Sequence, residues 1–171
     1  MTLQFPSDAS KSAVFADVKR YLTDLGFRTT HMDDSRPWGG FYYVDESQAP
    51  QFIRTYFPHL KVEDFAGFPK LSPKILLVAP NARLSWQYHH RRSEIWTVIG
   101  GNAAIVISDT DEQTPQQPLL LGSQVSLKQG ERHRLVGVDE WGIVAEIWQH
   151  TDAAHPSDED DIVRVQDDFG R

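Results

Sequence analysis

From Lys74 onward the chain is a succession of short runs rich in β-branched and aromatic residues, each broken by turn residues. This pattern restricts the fold more than any other feature of the sequence. Strands are expected at 74–79, 83–90, 94–99, 103–108, 118–121, 124–128, 132–137 and 142–149, with Pro80-Asn81, Gly100-Gly101 and Glu140-Trp141-Gly142 between them. Strands spaced this closely, with no long helix between them, build an antiparallel sandwich or barrel. The stretch 109–118 is polar and contains proline, so it is expected as a surface loop. Ahead of the strands the texture is different. Val14, Val18, Tyr21, Leu22 and Leu25 recur at helical spacing, with Ser10 or Ser12 as cap and Gly26 as terminator. A second short helix is expected after Ser47, with Pro50 in its first turn and Phe52, Ile53, Tyr56 and Phe57 as its apolar stripe. A short strand is expected at Phe41–Val44.

The 171 residues suit one domain with a core large enough to need no staples. The absence of cysteine excludes a disulfide scaffold, a Cys-based zinc finger, an iron–sulfur cluster and a cysteine nucleophile. No apolar run reaches membrane-spanning length, and the first residues lack the apolar stretch of a signal peptide, so a cytoplasmic protein without membrane contact is expected. The net charge of −7 argues against a nucleic-acid partner. That charge is uneven: residues 151–171 hold seven acids against two bases, whereas 1–150 is nearly balanced. The plain expectation for such an end is a solvated tail.

Chemistry concentrates in Leu84–Trp96. Side chains alternate along a strand, so Gln87, His89 and Arg91 share a face. If Arg91-Arg92-Ser93 turns the chain, the return strand presents Glu94 beside His89. His133, in Gly130–Leu135, could add an imidazole from a further strand. Taken singly, each is an ordinary polar strand residue. Together, Gln87, His89, Glu94 and His133 form a nitrogen–oxygen set suited to a divalent metal with room for water or substrate. Burying several polar groups in one place without a purpose is costly. His90 alternates away from this face, and His31, His59, His150 and His155 are expected at the surface. The local excess of arginine (Arg83, Arg91, Arg92, Arg132, Arg134) suits a phosphate or carboxylate ligand, with Arg91 and Arg134 as candidate contacts. Parity counted from Gln87 points Arg92 and Arg132 outward, toward pairing with acids such as Glu131, Asp139 or Glu140.

These residues resemble a known family. Leu84-Ser85…Gln87…His89…Glu94…Trp96, followed by Gly130…His133-Arg134-Leu135, is similar to the two-motif pattern of cupins. More narrowly it resembles the isomerase domain of type II mannose-6-phosphate isomerases, often fused to a mannose-1-phosphate guanylyltransferase. Arg36-Pro37-Trp38-Gly39, the strand Lys74–Pro80, Ala145–Gln149, and Asp158–Arg164 with Asp168–Arg171 match further segments of that domain. The resemblance implies an all-β fold, a cupin antiparallel barrel or jelly roll over 36–171, with an N-terminal helical extension over 1–35. It does not account for the segment 46–73. It implies a metal, typically zinc (manganese, iron, cobalt or nickel being alternatives), on Gln87, His89, Glu94 and His133. It also implies a homodimer and a sugar-phosphate substrate, with Lys74 and Arg164 at the sugar phosphate or the reacting oxygens. Glu146, on the strand beside His133, is the candidate general base, and the segment 151–171 is expected to fold back and deliver Arg164. The implied activity is an aldose–ketose isomerisation of mannose-6-phosphate or a heptose phosphate. A non-catalytic sugar-binding cupin and a metal-free epimerase are the alternatives. Two departures stand out. Arg91 replaces the second histidine of the common cupin motif, and no counterpart of the guanylyltransferase half, with its Gly-rich loop, is present.

Overall fold

The computed structural model describes residues 2–171. Helix α1 spans Lys11–Asp24, and the Ser10 hydroxyl accepts the Ala13 amide at 3.3 Å as its cap. Gly26, at φ +83°, ends it. Val14, Phe15, Val18 and Leu22 are buried, whereas Leu25 lies past the last turn and is exposed. Helix α2 spans Ala49–Tyr56, with Pro50 in its first turn and Phe52, Ile53 and Tyr56 inward.

Among the described residues eleven strands follow the expected pattern, with one addition at each end. They are β1 (Thr29–Asp33), β2 (Gly39–Val44), β3 (Lys74–Val78), β4 (Trp86–Tyr88), β5 (Arg92–Gly100), β6 (Ala103–Ser108), β7 (Gln117–Leu119), β8 (Gln124–Leu127), β9 (Arg132–Val136), β10 (Gly142–His150) and β11 (Val163–Gln166). β1 carries no apolar alternation because it is an exposed edge strand. All pairings are antiparallel. One sheet runs β1-β2-β3-β10-β5-β8 and the other β11-β4-β9-β6-β7. Of the expected barrel or jelly roll, the two sheets make the jelly roll.

The six-stranded sheet has two buried faces. Ile75, Leu77, Ile143, Ala145, Ile147 and Ile95 point outward into one core with α1, α2 and the N-terminal segment. Their neighbours Leu76, Val78, Val144, Trp96 and Val98 point inward and pack against Leu84, Ile105 and Leu135 of the second sheet. This explains why β3 and β10 read as continuous apolar runs. The helical extension is therefore the cover of that sheet's outer face. Gly39, at φ +143°, lies so close to β3 that a Cβ would come within 1.9 Å of the Leu77 carbonyl. The Arg36–Gly39 motif owes its glycine to this approach. On the outer face of the second sheet the loop 109–116 folds over Trp86, whose indole N–H donates to the Asp111 carbonyl at 2.8 Å.

The acidic end is not a free tail. β11 pairs with β4 and sets Arg164 directly opposite Gln87. Asp161 is buried, Asp167 bonds Arg171 at 2.8 Å and Asp168 bonds Arg83 at 2.6 Å. No helix among the described residues is long and apolar enough to cross a membrane.

Candidate metal centre

At one end of the space between the sheets the inward positions change from apolar to polar. Lys74 begins β3, Glu146 faces it across the β10 ladder, and Trp148 is paired with Glu94. From the second sheet, Gln87 on β4 is paired with His133 on β9. His89 follows on the Gln87 face. The result is a small polar cleft lined by Lys74, Gln87, Arg92, Glu94, Glu146 and Arg164.

His89, Glu94 and His133 are all buried, and one ligand atom from each falls within 4.8 Å of the others. His89 Nε2 lies 3.2 Å from Glu94 Oε1, and His133 Nε2 lies 3.5 Å from Glu94 Oε2 without a hydrogen bond. Both imidazoles are turned by backbone carbonyls: His89 Nδ1 meets Asp161 O at 2.7 Å and His133 Nδ1 meets Glu131 O at 2.9 Å. A proton on each Nδ1 leaves each Nε2 lone pair directed at Glu94, the arrangement metal-ligating histidines require. The Gln87 amide lies beside them, 3.4 Å from His89 Nε2, oriented by the Ser85 hydroxyl at 2.7 Å. The four residues thus converge, but not as parity across a hairpin suggested. Glu94 belongs to the opposite sheet and meets the histidines across the interior.

That difference relocates the arginines. Arg92 starts β5 and shares its parity with Glu94, so it points inward, not outward as counting from Gln87 implied. Its Nε donates to Glu94 Oε1 at 2.8 Å, another nitrogen lies 3.2 Å from His89 Nε2, and the guanidinium stacks 3.6 Å over Trp148. Arg91 lies on the turn outside, a third exposed, and donates to the His155 carbonyl. Arg134 is buried on the far face of β9, where it donates to the Leu84 carbonyl at 2.7 Å and to Gln113. Neither lines the cleft; Arg36, Arg92, Arg164 and Arg171 do. Arg132 does point outward, to Asp111. His150 is a further correction: it is buried, bonded to Ser72 Oγ and the Ser157 amide, and burial followed by the Lys70 charge lowers its pKa to about 4.

Lys74 sits among Phe41, Tyr43 and Trp148, bonded to Glu159 at 2.7 Å and 4.0 Å from Glu146. Glu146 accepts the indole N–H groups of Trp96 at 2.7 Å and Trp148 at 2.6 Å. Burial, then the Glu94 charge, pushes its pKa up to about 7. Burial acts against Glu94 ionising too, but its contacts with His89, Arg92 and His133 win and hold its pKa well below the usual range. Arg164 Nε is buried without a partner, and burial with the charges of Arg171 and Arg36 depresses its pKa. Its donors are thus available to an anion at the mouth of the cleft.

The donor set fits a divalent metal. The set combines two imidazoles, a carboxylate and an amide, and His133 Nε2 is a buried polar atom without a hydrogen bond. Gln87, His89, Glu94 and His133 would hold the ion.

The chain is similar to several known proteins. The alginate biosynthesis protein AlgA of Pseudomonas aeruginosa is 28% identical over 165 residues, covering 91% of this chain and 27% of its own length. The xanthan biosynthesis protein XanB of Xanthomonas campestris is 29% identical over 148 residues, 84% of this chain and 24% of its own. The chain spans about a quarter of the length of these curated relatives. Among solved structures, an oxalate decarboxylase of Bacillus subtilis superposes with a TM-score of 0.56 at 15% identity, over 79% of this chain and 30% of that one. An oxalate oxidase in complex with glycolate superposes at 0.51 and 16%, over 78% and 58%. These two show the fold. A cupin 2 conserved barrel domain protein from Salinispora arenicola is 29% identical over 49% of this chain and 65% of that one, with a TM-score of 0.41. The fold is that of a cupin, and over residues 51–167, more than half its length, the chain matches the mannose-6-phosphate isomerase C-terminal family, to which it belongs.

Proposed function

We propose that this chain is a metal-dependent aldose–ketose isomerase acting on a sugar phosphate, mannose-6-phosphate or a heptose phosphate, with zinc as the metal. The observation that carries the reading is the placement of Glu146. It is a buried carboxylate with a pKa near 7, held by two indole N–H groups in the cleft that Gln87 and Glu94 of the candidate ligand set also line. Isomerisation of an aldose moves one proton from C2 to C1 and another from the C2 hydroxyl to O1, through an enediolate. Glu146 takes the carbon-bound proton and returns it to the adjacent carbon. Lys74, next to Glu146, lies within reach of the oxygens that carry the developing charge. Arg164 binds the phosphate, with Arg36 and Arg171 beside it. A bound metal supplies Lewis-acid polarisation of the carbonyl and adjacent hydroxyl.

Purified protein supplied with zinc or manganese should interconvert mannose-6-phosphate and fructose-6-phosphate, or the heptose equivalents. Gln87→Ala and Arg164→Ala should lose that activity. Inactivity across a panel of hexose and heptose phosphates would retire the proposal. One observation favours a second reading, a metal-free epimerase: Arg92 already donates to Glu94 and His89, leaving a buried His–carboxylate pair at His133 and Glu94. Elemental analysis of the purified protein separates the two.

A further inference from the structure

The segment 157–161 lies over the His–Glu cluster, and Asp161 grips the cluster's support with both its backbone and its side chain. β4 ends at Tyr88, and the chain leaves the sheet through His89–Arg91 before β5 begins. The amides of His90 and Arg91 both donate to the Asp161 carboxylate, each at 3.0 Å. Ser157 Oγ donates to the same carboxylate at 2.6 Å while accepting from Arg92 at 2.9 Å. The Asp161 carbonyl accepts from His89 Nδ1 at 2.7 Å. The side chain is 1% exposed. Burial acts against its ionisation, but the hydroxyl and the two amides outweigh it and keep the carboxyl below its ordinary pKa.

The two imidazoles are therefore oriented differently. His133 is turned by a carbonyl two residues before it in its own loop, whereas His89 is turned by one 72 residues further along the chain. The first comes with the β8–β9 turn. The second exists only when the C-terminal segment is docked, and the Asp161 carboxylate is what docks it against the turn that carries His89.

We propose that Asp161 is a positioning residue of the metal centre. Its carboxylate locks segment 157–161 to the His89–Arg91 turn, so that its own carbonyl fixes His89 with the proton on Nδ1 and the Nε2 lone pair facing Glu94 and His133. This rests on the reading of the cluster as a metal site. It adds that the site is assembled by the C-terminal segment.

The test compares the full-length wild type with Asp161→Asn, Ser157→Ala and Asp168→Asn. Asp168→Asn breaks a different anchor of the C-terminal segment, the contact with Arg83. Two quantities are measured: the zinc dissociation constant by competition with a chelator, and the His89 tautomer in metal-free protein by long-range 15N–1H correlation. Asp161→Asn should weaken zinc binding by about 10- to 100-fold, the range for a lost ligand-orienting partner, and move His89 toward mixed tautomers. Ser157→Ala, a milder change that keeps the protein folded should Asp161→Asn fail to fold, should shift both in the same direction by less. Asp168→Asn should leave both where they are. Zinc affinity and tautomer unchanged in Asp161→Asn and Ser157→Ala would overturn the assignment, as would an equal loss in Asp168→Asn. If the wild type binds no zinc, the metal-dependent reading falls, and the His89 tautomer still decides whether Asp161 positions the ring.

Discussion

The two faces of the six-stranded sheet use the same strands for opposite purposes. On β3, Ile75 and Leu77 point to the helices, whereas Lys74 points to the cleft. On β10, Ala145 and Ile147 point out, whereas Glu146 and Trp148 point in. On β5, Ile95 points out, whereas Arg92, Glu94 and Trp96 point in. The outer face is dry and filled by Phe52, Phe57, Leu22 and their neighbours, all fully buried. The inner face, at one end, buries carboxylates and cations in close contact. Apolar burial stabilises the fold, while buried charge mostly costs stability and is kept where it serves chemistry. The comparison therefore assigns stability to the outer face and activity to the inner one, and substitutions can separate them.

The largest effect is expected on the outer face. Phe52→Ala removes a ring that packs against Phe27, Tyr56 and Phe57. It should cost about 3–5 kcal/mol of unfolding free energy, read as a fall in the denaturation midpoint. Activity per folded molecule should stay at the wild-type level. If the isomerase rate fell while the fold persisted, the separation of the faces would be wrong.

Next is Glu146→Gln on the inner face. Removing a general base should lower kcat by about 10²- to 10⁴-fold, with circular dichroism unchanged. A rate within a few-fold of wild type would remove Glu146 as the base.

The same substitution sharpens the comparison through stability. Glu146 has a folded pKa of about 7 against an ordinary 4.5, so the fold favours its protonated form. The stability linked to that proton is intact below the ordinary value and is lost as pH rises through about 7. The full difference corresponds to roughly 3 kcal/mol. Metal-free Glu146→Gln cannot titrate there, so its stability relative to wild type should increase between about pH 5 and 8. Gln offers one acceptor where two indoles donate, so the pH slope, not the absolute midpoint, is the quantity to measure. Parallel pH profiles for the two proteins would mean that Glu146 is ionised throughout.

These expectations also mark what the sequence discloses. Turn spacing and alternation are local properties. They located β3 through β10 and both helices, and they put Gln87 and His89 on one face. The resemblance supplied Lys74 and Arg164. What parity could not carry was the passage from one sheet to the other. Arg92 was assigned outward by counting through the turn from Gln87, although its two-residue spacing from Glu94 held the right answer. Arg91 and Arg134 were selected for charge alone, and charge does not say which face a strand turns inward. β1 has no apolar signal because both its faces are near solvent. Asp161, Glu159 and His150 are involved through contacts with residues 70 or more positions away, or with a segment read as a tail. Only the closed structure brings those partners together.

The smallest effect expected is at Arg83–Asp168, which tests whether charge pairing alone marks a functional place. Arg83 meets Asp168 through two bonds, at 2.6 and 2.9 Å, and Asp168 is held well below the usual carboxylate pKa, chiefly by that contact. By geometry it matches Lys74–Glu159 at 2.7 Å. The two pairs differ in their cations: Asp168 and Glu159 are 34% and 35% exposed, but Arg83 is 40% exposed whereas Lys74 is 5% exposed among aromatic rings. Water and salt screen the first, so a double-mutant cycle on Arg83→Ala and Asp168→Asn should give a coupling of about 0.2–1 kcal/mol. That coupling should shrink as ionic strength rises and leave catalysis unchanged. The cycle on Lys74→Met and Glu159→Gln should give a larger coupling that salt weakens less, together with a loss of activity. If the exposed pair proved as strong and as insensitive to salt as the half-buried one, short distances and shifted pKa values would no longer distinguish the cleft from the surface. The buried cluster would then have to be argued as a site on its His–Glu–His donors alone.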